Sequence, residues 1–106
     1  MQLQLACNIG VYPSGLMTLR FPRGSGGVPH GNFVQAFFDF KRYIGLDYEK
    51  MHDRENRLWV ILPKYHKEPD DVKAALLRAF NGWGVDLDAE FIPKDDDIIW
   101  PESRLY

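Results

Sequence analysis

Proline and glycine dictate where this chain can form regular structure. The seven prolines (13, 22, 29, 63, 69, 93 and 101) and the glycine-rich stretches fall between apolar segments rather than inside them. Proline lacks a backbone donor and glycine tolerates unusual dihedrals, so these positions act as boundaries. The segments between them are short, and each has its own period.

Gln2 to Phe21 opens with Gln2-Leu3-Gln4-Leu5 alternation and reaches Tyr12-Pro13-Ser14-Gly15 before Leu16 to Phe21. Proline at the second place and glycine at the fourth place of a turn read as a β-hairpin. Four glycines in the nine residues Arg23–Gly31 then form a loop, and Asn32 is expected to cap a helix from about Phe33 to Ile44. Phe33, Phe37, Phe40 and Ile44 make its inner stripe, Val34 and Phe38 widen it, and Gly45 ends it.

Asp47 to Leu62 reads as a second hairpin turning at Asp53-Arg54-Glu55-Asn56. The unbroken apolar run Leu58–Leu62 predicts a strand covered on both faces, at the centre of the sheet. Glu68-Pro69-Asp70-Asp71 is a strong helix start, with proline at the first helical position and carboxylates in the first turn. Val72, Ala75, Leu76, Ala79, Phe80 and Trp83 follow at helical spacing. Val85 to Ile92 alternates strictly and stops at Pro93, the signature of a half-exposed strand.

The order is ββαββαβ, which predicts an α+β two-layer sandwich: a mainly antiparallel sheet with two helices on one face. Its βαββαβ portion matches the ferredoxin-like arrangement at the level of element order only. Residues 1–93 are expected to form one domain and 94–106 a C-terminal tail. Five large apolar residues in the last nine (Ile98, Ile99, Trp100, Leu105 and Tyr106) are too many for a solvated end. The tail is expected to pack on the domain or on a partner subunit, with Ile98, Ile99, Trp100 and Tyr106 as the partner-binding candidates.

With 106 residues, 45% hydrophobic and 26% charged, the chain can bury a core without metal or disulfide staples. Cys7 is the only cysteine and cannot form an internal bridge, which points to a reducing cytoplasm. Leu5-Ala6-Cys7 is not read as a lipoprotein signal, because no Lys or Arg precedes Arg20. The longest apolar run is five residues against the roughly 20 that a membrane span needs, so no membrane association is expected.

The net charge of −2 is unevenly spread, with +3 over residues 1–66 and −5 over 67–106. Duplex DNA binding normally demands one strong basic face, and this polarity argues against it. Single-stranded nucleic acid is also disfavoured, since Arg57 to Leu62 lacks the glycine and aromatic spacing of an RNA-recognition sheet.

The glycine loop is the main local candidate. A strand, a glycine-rich loop and a helix N-terminus can hold an anion, with Arg20, Arg23, Gly24, Gly26, Gly27, His30 and Asn32 as the ligand-binding residues. It lacks the closing Lys-Ser/Thr of a phosphate loop and the dinucleotide fingerprint, so a plain connection is the competing interpretation. His30, His52 and His66 are far apart, and the acidic groups Asp70-Asp71, Asp86-x-Asp88-x-Glu90 and Asp95-Asp96-Asp97 match no metal motif. No catalytic residue, metal or cofactor is therefore assigned. The sequence is expected to encode a small cytoplasmic, bacterial-type interaction or regulatory protein of accessory, inhibitor or immunity kind. It would act on a protein partner or on itself as a homodimer. An anion-binding domain or enzyme using loop 23–32, and a single-stranded nucleic-acid binder, are the alternatives.

Overall fold

The structure, a computed structural model, describes residues 3–45, 50–54, 57–62 and 68–96. Five strands and two helices follow one another as β1 (Leu3–Val11), β2 (Met17–Pro22), α1 (His30–Ile44), β3 (Lys50–Arg54), β4 (Arg57–Leu62), α2 (Pro69–Asn81) and β5 (Val85–Pro93). The architecture is the expected α+β two-layer sandwich. Strand order across the sheet is β3-β4-β2-β1-β5. Every neighbouring pair is antiparallel except β1 and β5, which run parallel.

Chain topology explains why both helices share a face. β2-α1-β3 and β4-α2-β5 are each crossovers between parallel strands, and they travel in opposite directions along the sheet from strands of opposite sense. Equal handedness of the two crossovers puts both helices on the same side. The crossover from β4 passes both β2 and β1 before β5 pairs with the far edge of β1, so β1 interrupts the sheet of the βαββαβ portion. The same order makes β2 the central strand. β4, read from its apolar run as central, lies one strand from the edge; its burial on both faces comes from two separate apolar clusters.

Local sequence accounts for the turns. Gly15 N–H donates to the Tyr12 carbonyl at 2.9 Å, closing the proline-containing turn between β1 and β2, and Gly15 has φ 91. Gly45 ends α1 in the left-handed region with φ 68. α2 begins at Pro69, whose missing N–H costs nothing at a helix start.

The core lies between the helices and one face of the sheet. Leu5, Cys7 and Ile9 of β1, Met17, Leu19 and Phe21 of β2, and Val85 and Leu87 of β5 meet Phe40 of α1 and Leu76 of α2. Phe21 joins the layers, with its ring 5.1 Å from Phe33 and 6.0 Å from Phe80. The expected inner stripes hold for Phe33, Phe37, Phe40 and Ile44 in α1 and for Val72, Ala75, Leu76, Ala79 and Phe80 in α2.

Three apolar side chains depart from the expected pattern. Val34 and Phe38 are 46% and 62% exposed, because α1 packs on a narrow stripe and its Val34 flank turns to solvent. Trp83 lies beyond the end of α2, and its indole N–H donates to Asp39 Oδ2 of α1 at 2.8 Å. It ties the helices together from outside.

Candidate functional site

The glycine-rich segment is a 3-10 turn over Arg23–Gly27, in which Gly24, Gly26 and Gly27 have φ of 69, 57 and 90. Such values favour glycine, which explains the composition of the turn. Val28 is buried next to it and fixes its exit into the core. α1 then starts at His30 rather than near Phe33: the Pro29 carbonyl accepts from Phe33 N–H at 3.1 Å, and Pro29 occupies the N-cap. Asn32 is therefore inside the first helical turn and is not a cap. Its side-chain amide donates to the Trp83 carbonyl at 3.1 Å, a second tie between α1 and the end of α2. His30 is exposed.

Arg20 does not join this loop. Strand alternation puts Met17, Leu19 and Phe21 against the helices and Arg20 on the opposite face of the sheet, over the Trp59 ring at 5.4 Å. The residues expected to form one anion site thus divide between the two faces. The Arg23 side chain, Ile98, Ile99, Trp100 and Tyr106 lie outside the described portion.

The face carrying Arg20 is built in rows. Register aligns Trp59 of β4, Arg20 of β2, Asn8 of β1 and Glu90 of β5 across four strands. The next row is Ile61, Thr18, Gly10 and Ile92. Trp59 and Ile61 form a second apolar cluster with Leu16 and are only 9% and 6% exposed. The Tyr12 ring sits over Gly10, and its hydroxyl accepts a long 3.5 Å hydrogen bond from the Thr18 hydroxyl. A Cβ at position 10 would lie 2.6 Å from Thr18 Oγ1, so glycine is what lets the tyrosine lie there.

Two adjoining depressions share Arg20 and Asn8. One, of about 10 Å³, runs from Thr18 and Trp59 to Lys94; the other, of about 170 Å³, runs to Pro22 and Arg57. Arg20 Nε is fully buried and has no hydrogen-bond partner. An occluded, unpaired donor on a charged group costs on the order of 1–3 kcal/mol or more. The face is electrically divided, with Arg20, Arg57 and Lys94 beside the depressions and exposed Asp86, Asp88 and Glu90 on β5.

Cys7 belongs to the other face, within the core, where burial pushes its thiol up to about 12 against a partly offsetting backbone hydrogen bond from Arg20. A thiol so held stays protonated and is a poor nucleophile. Among the described residues, no group of three or more His, Cys, Asp or Glu is placed to hold a metal ion, and no helix is long and apolar enough to cross a membrane.

The loop was conspicuous in the sequence because glycine clusters are visible there. The Arg20 face was not, because its members come from four strands whose register only the fold supplies. Asn8 and Lys94 carry one faint signal, a polar place within or just beyond a strand, whereas Trp59 lies inside the unbroken apolar run of β4 and carries none. No family model matches the chain, and no curated protein and no solved structure is found to be similar to it.

Proposed function

We propose that this protein is a non-catalytic binding module that recognises a protein partner through the sheet face turned away from its helices, centred on Arg20. The observation that carries this reading is the pair of depressions that share Arg20 and Asn8 beside the apolar cluster of Trp59, Ile61 and Leu16. The adjoining depressions, at about 10 and 170 Å³, fall short of the roughly 300–1,000 Å³ of typical small-molecule sites, which favours contact with a macromolecular surface. Trp59 beneath Arg20 offers no free ring for a nucleobase to stack on, which weighs against single-stranded nucleic acid.

Panning a random-heptapeptide display library on the full chain tests this reading. Wild type is expected to enrich a defined set of peptides, Gln35→Ala on the outside of α1 to keep that enrichment, and Arg20→Ala to lose it. Absence of enrichment by wild type, or enrichment that survives Arg20→Ala, would refute it.

A separate observation favours self-association as a second mode. Val34 and Phe38 are neighbours at i and i+4 on the outside of α1, and Phe38 is 62% exposed. Light scattering is expected to give a dimer mass that Phe38→Ser reduces to a monomer. A wild-type monomer at millimolar concentration removes this mode.

A further inference from the structure

We infer that the open edge of β5 is a strand-addition site for an extended segment of a partner protein with Lys or Arg at alternate positions. It is a second surface, at the border of the sheet face described above, and needs no contact with Arg20.

β5 is the last strand of the sheet, and among the described residues nothing pairs with its other edge. Two hydrogen bonds at its ends fix the direction of its backbone groups. Leu3 N–H donates to the Gly84 carbonyl at 3.1 Å, and Lys94 N–H donates to the Val11 carbonyl at 2.9 Å. Alternate residues of a parallel strand turn their backbone groups to the same neighbour, so Asp86, Asp88, Glu90 and Ile92 face β1. Val85, Leu87, Ala89 and Phe91 therefore point their N–H and C=O groups to the open side. The pairing with β1 runs over all nine residues of β5 without a bulge, which leaves a long, regular edge. Such an edge is a template for another strand unless something restricts what can join it.

The side chains supply the restriction. Val85, Leu87 and Ala89 are buried toward the helices, whereas Asp86, Asp88 and Glu90 are exposed on the other face. An added strand sets its own residues beside these three, at about 5 Å between Cβ atoms, where opposite charges attract and like charges are destabilising. A second copy of β5, in any register that keeps its apolar side chains on the helix side, brings carboxylates beside carboxylates. Residues 95–106, which follow β5, carry four carboxylates and Arg104 as their only cation, so they have the wrong sign as well. A segment with Lys or Arg at every second place has the right sign. Main-chain hydrogen bonds to the open edge then supply affinity, and the charged row supplies specificity. A depression of about 410 Å³ favours long side chains in particular. Gln4, Ala6, Asp86 and Asp88 line it from the exposed face, with Ala6 beside Asp88 and Gln4 beside Asp86. Because Ala6 is small, the stem of a Lys or Arg can cross β5 and bring its cation to both carboxylates.

Amide hydrogen exchange of the full ¹⁵N-labelled chain, with and without a synthetic peptide alternating lysine and valine, provides the test. In the free chain the amides of Asp86, Asp88, Glu90 and Ile92 are expected to be protected and those of Val85, Leu87, Ala89 and Phe91 to exchange readily. The peptide is expected to slow the second set at least tenfold and to leave the first unchanged. A peptide alternating glutamate and valine, or the lysine peptide N-methylated throughout, is expected to give no protection. Replacing both Asp86→Asn and Asp88→Asn is expected to weaken binding of the lysine peptide at least tenfold with an unchanged melting temperature. Protection of the second set in the free chain overturns the inference, because the edge is then already covered. No protection by the lysine peptide at millimolar concentration, or protection that survives N-methylation, overturns it as well. Equal binding of the glutamate peptide, or undiminished binding by the Asn variant, removes the basic partner. Arg20→Ala is expected to leave protection of β5 unchanged, so failure at this edge and failure at the Arg20 face are read separately.

Discussion

Cys7 and Gly10 stand three residues apart in β1 and face opposite layers, and each makes its position sensitive to a different change. The Cys7 thiol is raised to about 12 from 9.0 by burial. Below pH 9 it is protonated in both folded and unfolded chains and contributes no pH dependence. Between pH 9 and about 12 the unfolded chain releases the proton while the folded chain keeps it, so stability falls as pH rises, by about 1.4 kcal/mol per pH unit. Urea titrations of wild type and Cys7→Ala are expected to differ by that slope above pH 9 and to run parallel below it. A thiol reagent at pH 8 is expected to label Cys7 only on unfolding. Gly10→Ala is expected to lose about 1–3 kcal/mol, because the new methyl meets Thr18 Oγ1 and the Tyr12 ring. Pairing it with Tyr12→Ala is expected to recover part of that loss in a double-mutant cycle. None of this was visible from residue type alone: a glycine in a strand looks like a weakness until its neighbour on the same face is known.

Helix identity was legible from periodicity, and helix breadth was not. Leu76 and Phe80 sit where spacing put them, fully buried on α2. Leu76→Ala is expected to cost about 2–5 kcal/mol and Leu76→Asp to prevent folding, read by thermal melting beside a silent Gln35→Ala control. Lys73 is half-buried on the flank of the same helix toward β5, its ammonium 5.2 Å from the Phe91 ring. Val34, Phe38 and Trp83 show the limit of pattern reasoning. Apolar spacing cannot tell a side chain that reaches the sheet from one on the flank of the same stripe. Asn32 shows another limit: its residue type suits a cap, but Pro29 fixes the start of α1 three residues earlier and frees the amide to bridge to Trp83. The α1–α2 contact therefore has a polar outer seam, with Asn32 and Asp39 both holding the Trp83 residue and Arg78 over Tyr43 at 4.4 Å. Trp83→Phe keeps an aromatic ring but loses the indole N–H, and is expected to lower stability by about 1 kcal/mol. An unchanged melting temperature for that variant shows that the seam is incidental to stability.

For the molecule as a whole, alternating and helical periods sufficed to place the layers, but not to pair the strands. The ββαββαβ order leaves several sheet orders open, and the unbroken apolar run of β4 suggested a central place that β2 in fact occupies. Burial of β4 on both faces arises because Trp59 and Ile61 make their own cluster away from the helices. That cluster and the Arg20 row exist only once β1, β2, β4 and β5 are in register, which is why the candidate site was hidden from a linear reading. The pairing of β1 with β5 also has a kinetic consequence. Matched residues such as Leu3 and Val85 are 82 positions apart, and closing so long a loop is entropically slow compared with the hairpins and helices between them. The outer edge of β1 is therefore expected to stay open until the rest of the sheet has formed, with β5 docking last. Leu87→Ala in β5 is expected to accelerate unfolding with little change in the folding rate, whereas Leu19→Ala in β2 slows folding, as separate arms of a chevron plot will show. On that order a newly synthesised chain would pass through a period in which β1 has an unpaired flank. An open flank of that kind can pair with the same flank of another copy, so the yield of folded protein is expected to fall with chain concentration rather than with time.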